Sequence, residues 1–299
     1  MAVQAGKGPF AEATGTATAG HGHRAVPGGR LLAISDLHVH YPQNRAFVQG
    51  LPASGGDWLI VAGDVAELYD EVAWALDLLS RRFGRVIWAP GNHELWTHPA
   101  DSLKLRGDHR YQRLVALCRD LGVDTPEDPY PVWRGTGGPV VVAPLFVLYD
   151  YTFLPEPATT QRAALALAYQ AGVVCTDEFL LHPDPFPSRA AWCAARLAYT
   201  RRRLAGCEFP TVLANHFPLI REPTRVLRHP EFAQWCGTVH TADWHQRYNT
   251  AAVVYGHLHI PRTTHHDGVR FEEVSLGYPR EWGVRPTRPA LRQILPAAG

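Results

Sequence analysis

Side chains that commonly bind metal ions follow five short apolar segments of this 299-residue sequence. They are aspartate, asparagine and histidine residues at the ends of these segments: Asp36, His38, Asp64, Asn92, His93, His216, His257 and His259. Taken singly, an aspartate there could cap a helix, and a histidine could be a hydrogen-bonded structural residue. Taken together, partly desolvated carboxylates and imidazoles repel one another unless cations join them. The residue types therefore predict a cation site.

The segments that precede these residues are predicted to be buried strands. Residues 30–40, 57–67 and 85–94 each contain an apolar run of four or five residues bounded by Gly or Pro, which is typical of a strand buried on both faces. An amphipathic helical pattern separates the second run from the third, so β-α-β units and a largely parallel sheet are expected. Ligands of such sheets bind outside the carboxyl ends of the strands, where the polar residues lie.

Further helices, a hairpin and the domain boundaries are predicted from the rest of the chain. Helices are predicted over residues 108–121 and 188–204, and a hairpin is predicted to turn at Asp267 and Gly268. Residues 30–299 are expected to form a single domain with a Pro- and Ala-rich insertion at about 154–188. Residues 1–29 are rich in Gly, Ala and Thr and lack the apolar core of a signal peptide, so a disordered tail is expected.

The composition excludes several classes of protein. With 29 basic and 28 acidic side chains, a net charge of +1 gives no general attraction to nucleic acid or to anionic membrane, so neither partner is expected. Five cysteines without a C-x-x-C pair argue against a disulfide framework and against a zinc ribbon. No apolar run approaches the roughly 18 residues of a membrane span, and a cytoplasmic bacterial enzyme is expected.

The polar residues form motifs that resemble a known family. Over about residues 30–277 the chain contains, in the family's order, Asp36-x-His38, Gly63-Asp64, Gly91-Asn92-His93-Glu94, Asn215-His216 and Gly256-His257-x-His259. This set resembles that of the calcineurin-like metallophosphoesterases. The resemblance implies an α/β fold, a four-layer α/β/β/α sandwich with two sheets between helices, and two divalent metal ions at the sheet edge.

The resemblance also implies which residues bind each ion. Asp36, His38 and His259 would bind the first metal, Asn92, His216 and His257 the second, and Asp64 would bridge the two. Mixed imidazole and carboxylate ligands suit manganese, iron or zinc rather than magnesium or calcium alone. A hydroxide between the two metals would then be the nucleophile that attacks phosphorus.

His93 matches no ligand position although it follows the ligand Asn92. It is therefore expected to protonate the leaving group as a general acid. Many relatives have an aspartate that hydrogen-bonds this histidine, and Glu67 stands at the corresponding position here. Glu67 could serve the same purpose or could be a first-turn helix residue favoured by the macrodipole. Glu94 is expected to orient the loop and has no predicted catalytic role.

Substrate specificity is expected to come from side chains outside the metal set. The candidates are His40, Trp96, Tyr278 and Arg280, although Tyr278 could simply pack the C-terminal segment. The leading hypothesis is hydrolysis of a phosphomonoester of a small soluble metabolite. The alternative is a phosphodiesterase acting on cyclic nucleotides or nucleotide-linked compounds. A non-enzymatic metal-binding scaffold is a further possibility, but intact ligand positions argue against it.

Overall fold

The computed structural model describes residues 29–285 and 291–297. The predicted N-terminal tail, apart from Gly29, lies outside the described residues. The described chain contains ten strands: β1 (Leu31–Ile34), β2 (Ser54–Val61), β3 (Phe83–Trp88), β4 (Val132–Trp133), β5 (Val140–Pro144), β6 (Thr211–Ala214), β7 (Thr250–Tyr255), β8 (Arg262–His266), β9 (Val269–Glu273) and β10 (Arg292–Leu295).

Eight α-helices connect or flank the strands: α1 (Pro42–Gly50), α2 (Tyr69–Ser80), α3 (Gly107–Asp120), α4 (Gln161–Gln170), α5 (Asp177–Leu180), α6 (Arg189–Leu204), α7 (Trp244–Arg247) and α8 (Pro279–Trp282). The predicted helices at 108–121 and 188–204 match α3 and α6 to within one residue. α6 begins after Ser188, whose side chain accepts a hydrogen bond from the Ala191 amide and so caps the helix. No helix of the described residues has both the length and the apolar composition to cross a bilayer.

The strands form two sheets. The first has the order β10-β1-β2-β3, with β1, β2 and β3 parallel and β10 antiparallel to β1. The second has the order β4-β5-β6-β7-β9-β8, in which β5, β6, β7 and β9 are parallel and the two edge strands are antiparallel. β8 and β9 form the predicted hairpin, and its turn residues Asp267 and Gly268 both have positive φ, as a type I′ turn requires.

The two faces of each sheet belong to two separate apolar clusters. In β1, Leu31 and Ala33 pack in a cluster that includes Val142 and Val254 of the second sheet, whereas Leu32 and Ile34 pack in the cluster that includes the helices. Successive side chains of a strand point to opposite faces, so this division places the first cluster between the sheets. The fold is therefore the α/β sandwich of two sheets flanked by helices that the motifs predicted.

Candidate metal centre and active site

The predicted ligands lie where the carboxyl ends of the parallel strands of both sheets meet. Asp36 and His38 follow β1, Asp64 follows β2 and Asn92 follows β3; His216 follows β6, and His257 and His259 follow β7. The sheets are joined at this edge, because His216 Nδ1 lies 2.9 Å from the Ala62 carbonyl oxygen. Sequence positions more than two hundred residues apart are thereby brought into one cluster.

The loops that carry these residues are conformationally unusual. Five of the seven predicted ligands have positive φ: Asp36 at 53°, His38 at 38°, Asp64 at 54°, His257 at 70° and His259 at 56°. Residues with a Cβ adopt this region rarely, although Asp and His tolerate it better than most. Such backbone strain persists only where the surroundings enforce it, and it is found most often at functional sites.

Two groups made up entirely of predicted ligands are close enough to hold a cation each. The atoms that Asp36, His38 and His259 offer lie within 4.8 Å of one another, and those of Asp64, His216 and His257 form a second such group. His259 Nε2 lies 3.0 Å from Asp36 Oδ1 and 3.3 Å from His38 Nε2.

The second group lies next to the predicted ligand Asn92 and to the predicted bridging residue. His216 Nε2 lies 3.1 Å from Asn92 Oδ1 and 3.3 Å from Asp64 Oδ2. All seven predicted ligands are therefore together at one edge of the sandwich.

The chemistry of the set fits divalent cations. His257 Nε2 and His38 Nδ1 are buried and have no hydrogen-bond partner among the described residues, which is costly for a polar atom that no ion or water reaches. Burial lowers the pKa of His38 and of His257 to about 3, so both imidazoles are neutral, the form that binds metals. Burial alone would raise the pKa of Asp36, but the charge of His259 outweighs it and keeps the carboxylate ionised.

His93 is held by Glu67 beside this cluster. Its Nδ1 lies 2.9 Å from Glu67 Oε1, and its Nε2 lies 3.7 Å from Asp64 Oδ2. Burial alone would lower the pKa of His93, but the charge of Asp64 and the hydrogen bond with Glu67 raise it. Glu67 lies two positions before Tyr69, the first residue of α2, so it is not a first-turn helix residue. Of the two alternatives for Glu67, the structure shows the contact with His93. The imidazole is thus buried, its charged form is favoured by two carboxylates, and its second nitrogen faces Asp64.

Glu94 is fully buried and binds the backbone of the ligand loops. Its carboxylate accepts hydrogen bonds from the amides of Asp64, Val65 and Gly91 and from the indole of Trp88. Burial and the charge of Asp64 raise its pKa to about 7. These contacts tie the loop after β2 to the loop after β3, which is the orienting role expected from the sequence.

A cleft of about 410 Å³ opens over the ligands. Arg280 and Tyr278 line it, and the guanidinium of Arg280 lies 5.0 Å from the centre of the Tyr278 ring. Tyr278 also stacks on His38, with ring centres 4.6 Å apart. Four further lining side chains are apolar: Val174, Leu227, Phe232 and Leu258.

One of the four predicted substrate-binding residues lies away from the cleft, and a second is largely buried in its wall. His40 is not among the residues that line the cleft; its imidazole is exposed and lies 3.5 Å from Glu71 Oε1. Trp96 does line the cleft but is only 8% exposed. Its ring packs at 3.8 Å on His93 and its indole donates to Asp177.

Sequence reasoning missed two carboxylates that contact predicted ligands. Glu281 Oε2 lies 2.8 Å from His259 Nδ1, and Asp177 Oδ1 accepts a hydrogen bond from Asn92 Nδ2 at 2.9 Å. Glu281 lies inside a stretch singled out for its aromatic residues and Arg280, and its capping interaction with Tyr278 at the start of α8 is the pattern that could have drawn attention to it. Asp177 lies in the insertion, outside any motif.

Comparisons with known proteins agree with this geometry. A family model described as calcineurin-like phosphoesterase matches residues 29–156. The chain is 58% identical over 269 residues to the acyl-carrier-protein phosphodiesterase PptH of Mycobacterium tuberculosis. The matched region covers 89% of this chain and 83% of that protein. The crystal structure of phosphopantetheinyl hydrolase PptH from the same organism superposes with a TM-score of 0.89 at 56% identity, covering 90% of this chain and 97% of that one. The chain is a metal-dependent phosphoesterase and belongs to the calcineurin-like phosphoesterase family.

Proposed function

We propose that this protein is a phosphodiesterase that hydrolyses the phosphodiester linking a phosphopantetheinyl group to an acyl carrier protein. The observation that carries this proposal is the 58% identity to an acyl-carrier-protein phosphodiesterase, with 83% of the length of that relative matched. The leading hypothesis from the sequence, a phosphomonoester of a small metabolite, finds no support in the comparisons, and the phosphodiesterase alternative fits them better. The cyclic or nucleotide-linked substrate named with that alternative gives way to a protein-linked one.

The cleft is compatible with such a substrate. Its volume of about 410 Å³ falls within the range of roughly 300 to 1,000 Å³ that is usual for small-ligand sites. Val174 at its rim is 64% exposed, and with Leu227 and Phe232 it offers apolar surface to a flexible organic arm. Arg280 offers a permanent positive charge for the phosphodiester anion. These lining residues suit a substrate that has an anionic phosphodiester and an organic arm.

In the proposed reaction, water adds to phosphorus and one P–O bond to an alcohol breaks. The seven clustered ligands would hold two divalent cations, which when bound supply an activated water and offset the charge on the phosphoryl group. The departing alkoxide takes a proton from His93 Nε2, and Glu67 stabilises the protonated imidazole through Nδ1 until that transfer. Glu94 and Glu281 keep the ligand loops and the His259 ring in place. Manganese, iron and zinc all suit this ligand set.

The test uses a holo-acyl carrier protein. Incubation with the purified enzyme and Mn²⁺ should lower the intact mass of the carrier protein by that of its phosphopantetheinyl group. The reaction should stop when a chelator is added. With p-nitrophenyl phosphate and its bis-ester as simple substrates, the diester should turn over faster. An unchanged carrier protein together with faster hydrolysis of the monoester would refute the proposal and restore the phosphomonoesterase hypothesis.

A further inference from the structure

We propose that Asp177, contributed by the insertion, is a positioning residue that turns the Asn92 side chain so that its amide oxygen faces the second metal position. Asn92 Nδ2 donates to Asp177 Oδ1 at 2.9 Å, while Asn92 Oδ1 lies 3.1 Å from His216 Nε2. This role concerns metal retention and holds whichever phosphoester is the substrate.

An asparagine ligand has a problem that a carboxylate ligand does not have. The two ends of its amide are nearly the same size, but only the oxygen can bind a cation. A half-turn of the amide would present an NH₂ group to the metal. Asp177 Oδ1 accepts from Asn92 Nδ2 and also from the Trp96 indole, so this oxygen carries no proton. An acceptor beside Asn92 selects the NH₂ group for that side and leaves the amide oxygen for the other. Asp177 is the acceptor that the described part of the chain provides for Asn92 Nδ2.

Asp177 is held firmly enough for this task. The residue is fully buried, and the Trp96 indole donates to the same Oδ1 at 2.6 Å, which fixes the carboxylate from a second direction. Arg189 at the start of α6 donates to the Asp177 carbonyl at 2.5 Å and to the Leu181 carbonyl at 2.9 Å, so it holds both ends of α5.

The neighbouring residue of α5 is anchored as well. Glu178 accepts from Arg189 at 3.0 Å, from the Tyr151 hydroxyl at 2.7 Å and from the Trp235 indole at 2.8 Å. A short helix with so many side-chain contacts is a rigid support for one carboxylate. The insertion is therefore part of the metal centre, in addition to lining the cleft through Val174.

The experiment measures Mn²⁺ binding by calorimetry and metal content after gel filtration, with circular dichroism to verify folding. Asp177→Ala should keep the first metal and bind the second about 10- to 100-fold more weakly, the usual effect of removing a group that orients a ligand. Asp177→Asn should lose less, because its amide oxygen can still accept from Asn92, and its near-identical size protects folding. Unchanged binding of both metals, or equal loss of both, would overturn the proposal.

A side-chain exchange sharpens the test. Asn92→Asp alone places two carboxylates against each other and should weaken the second metal. Combining it with Asp177→Asn restores a donor and an acceptor and should recover part of the affinity. If the single Asn92→Asp variant binds the second metal more tightly than the double variant, the proposed pairing is wrong.

Asp57→Asn is the matched control. Asp57 is also buried, accepts from the Arg30 amide at 2.7 Å, and lies near the amino end of the paired region of β2, away from the ligand edge. This variant should lose stability and keep both metals. Selective loss of the second metal in this control as well would show a general effect of destabilisation and would overturn the proposal.

Discussion

The pairing of His93 with Glu67 gives the sharpest prediction about catalysis. Glu67→Gln removes the negative charge 2.9 Å from His93 Nδ1 and leaves the side-chain size almost unchanged. Burial opposes the charged form of His93, and Asp64 and Glu67 together raise its pKa above the ordinary value. Without Glu67 the imidazole should lose its proton at lower pH. The alkaline limb of the activity profile should therefore move to lower pH, while activity on the acid side changes little.

The size of the effect follows from the hydrogen bond. Its two side chains are 11% and 17% exposed, so it is partly shielded, and a hydrogen bond to a charged group contributes about 1.5–3 kcal/mol. At about 1.36 kcal/mol for each factor of ten, turnover on the alkaline side should fall roughly 10- to 150-fold. His93→Ala removes the acid itself and should slow an alkyl ester by roughly 10²- to 10⁴-fold at every pH.

The assay compares two substrates across pH at saturating Mn²⁺. A holo-carrier protein has alkyl leaving groups that need a proton, whereas bis(p-nitrophenyl) phosphate releases p-nitrophenolate, which is a stable anion without one. His93→Ala should therefore slow the first far more than the second, with metal content unchanged. Glu71→Gln is the matched control, because Glu71 also contacts a histidine, the exposed His40, outside the cleft. Equal losses on both substrates, or a Glu67→Gln loss that is independent of pH, would refute the assignment.

Three further outcomes are expected. Gly256→Ala would place a Cβ against Ser35 Oγ and Asp36 Oδ2, so these side chains must shift, and calorimetry should show that the first metal binds more than about tenfold more weakly; wild-type affinity would contradict this packing. Chelation should lower the melting temperature, and returning free metal to about 100 times its dissociation constant should restore about 2.7 kcal/mol of unfolding free energy. A melting temperature that does not depend on metal would contradict a metal site that forms only in the folded protein. Glu127→Gln leaves the buried Arg196 without its ion-pair partner at 2.7 Å and should cost about 3 kcal/mol in urea unfolding at neutral pH. Burial opposes ionisation of Glu127, but Arg196 lowers the pKa of this carboxyl group. The ion pair therefore stabilises the fold fully above the unfolded pKa of a glutamate, and this stabilisation is lost as the pH falls. The difference in unfolding free energy between variant and wild type should narrow below about pH 4.

Sequence reasoning succeeded where the determining pattern is local. Each predicted ligand follows an apolar strand by two to four residues, and the parallel arrangement of these strands then requires the ligands to meet. The same holds for α3, α6 and the β8–β9 hairpin, whose caps and turn residues lie within a few positions of the elements they define. The local pattern gave a wrong placement for His40, because the backbone does not continue there as a strand. β1 ends at Ile34 and His38 has positive φ, so strand-like alternation does not extend to His40.

Several contacts between distant segments could not be predicted from the sequence. Asp177 is 85 residues from Asn92, and nothing in the Ala- and Pro-rich insertion signals that one of its carboxylates returns to the metal centre. Glu281 reaches His259 only because α8 folds back against the ligand loops. β10 pairs antiparallel with β1 across more than 250 residues. Such pairings depend on how whole elements pack, which a single sequence without alignment does not reveal.

The positive φ angles of the ligand loops carry a consequence for protein engineering. Asp36, His38, Asp64, His257 and His259 each hold a backbone conformation that glycine would adopt more easily, by about 1 kcal/mol or more per residue. A selection for heat resistance alone would therefore favour glycine at these positions, and the more stable proteins it yields would lack predicted metal ligands. Activity has to be screened alongside thermal stability, because in this fold the residues with strained backbones are the ones predicted to bind the metals.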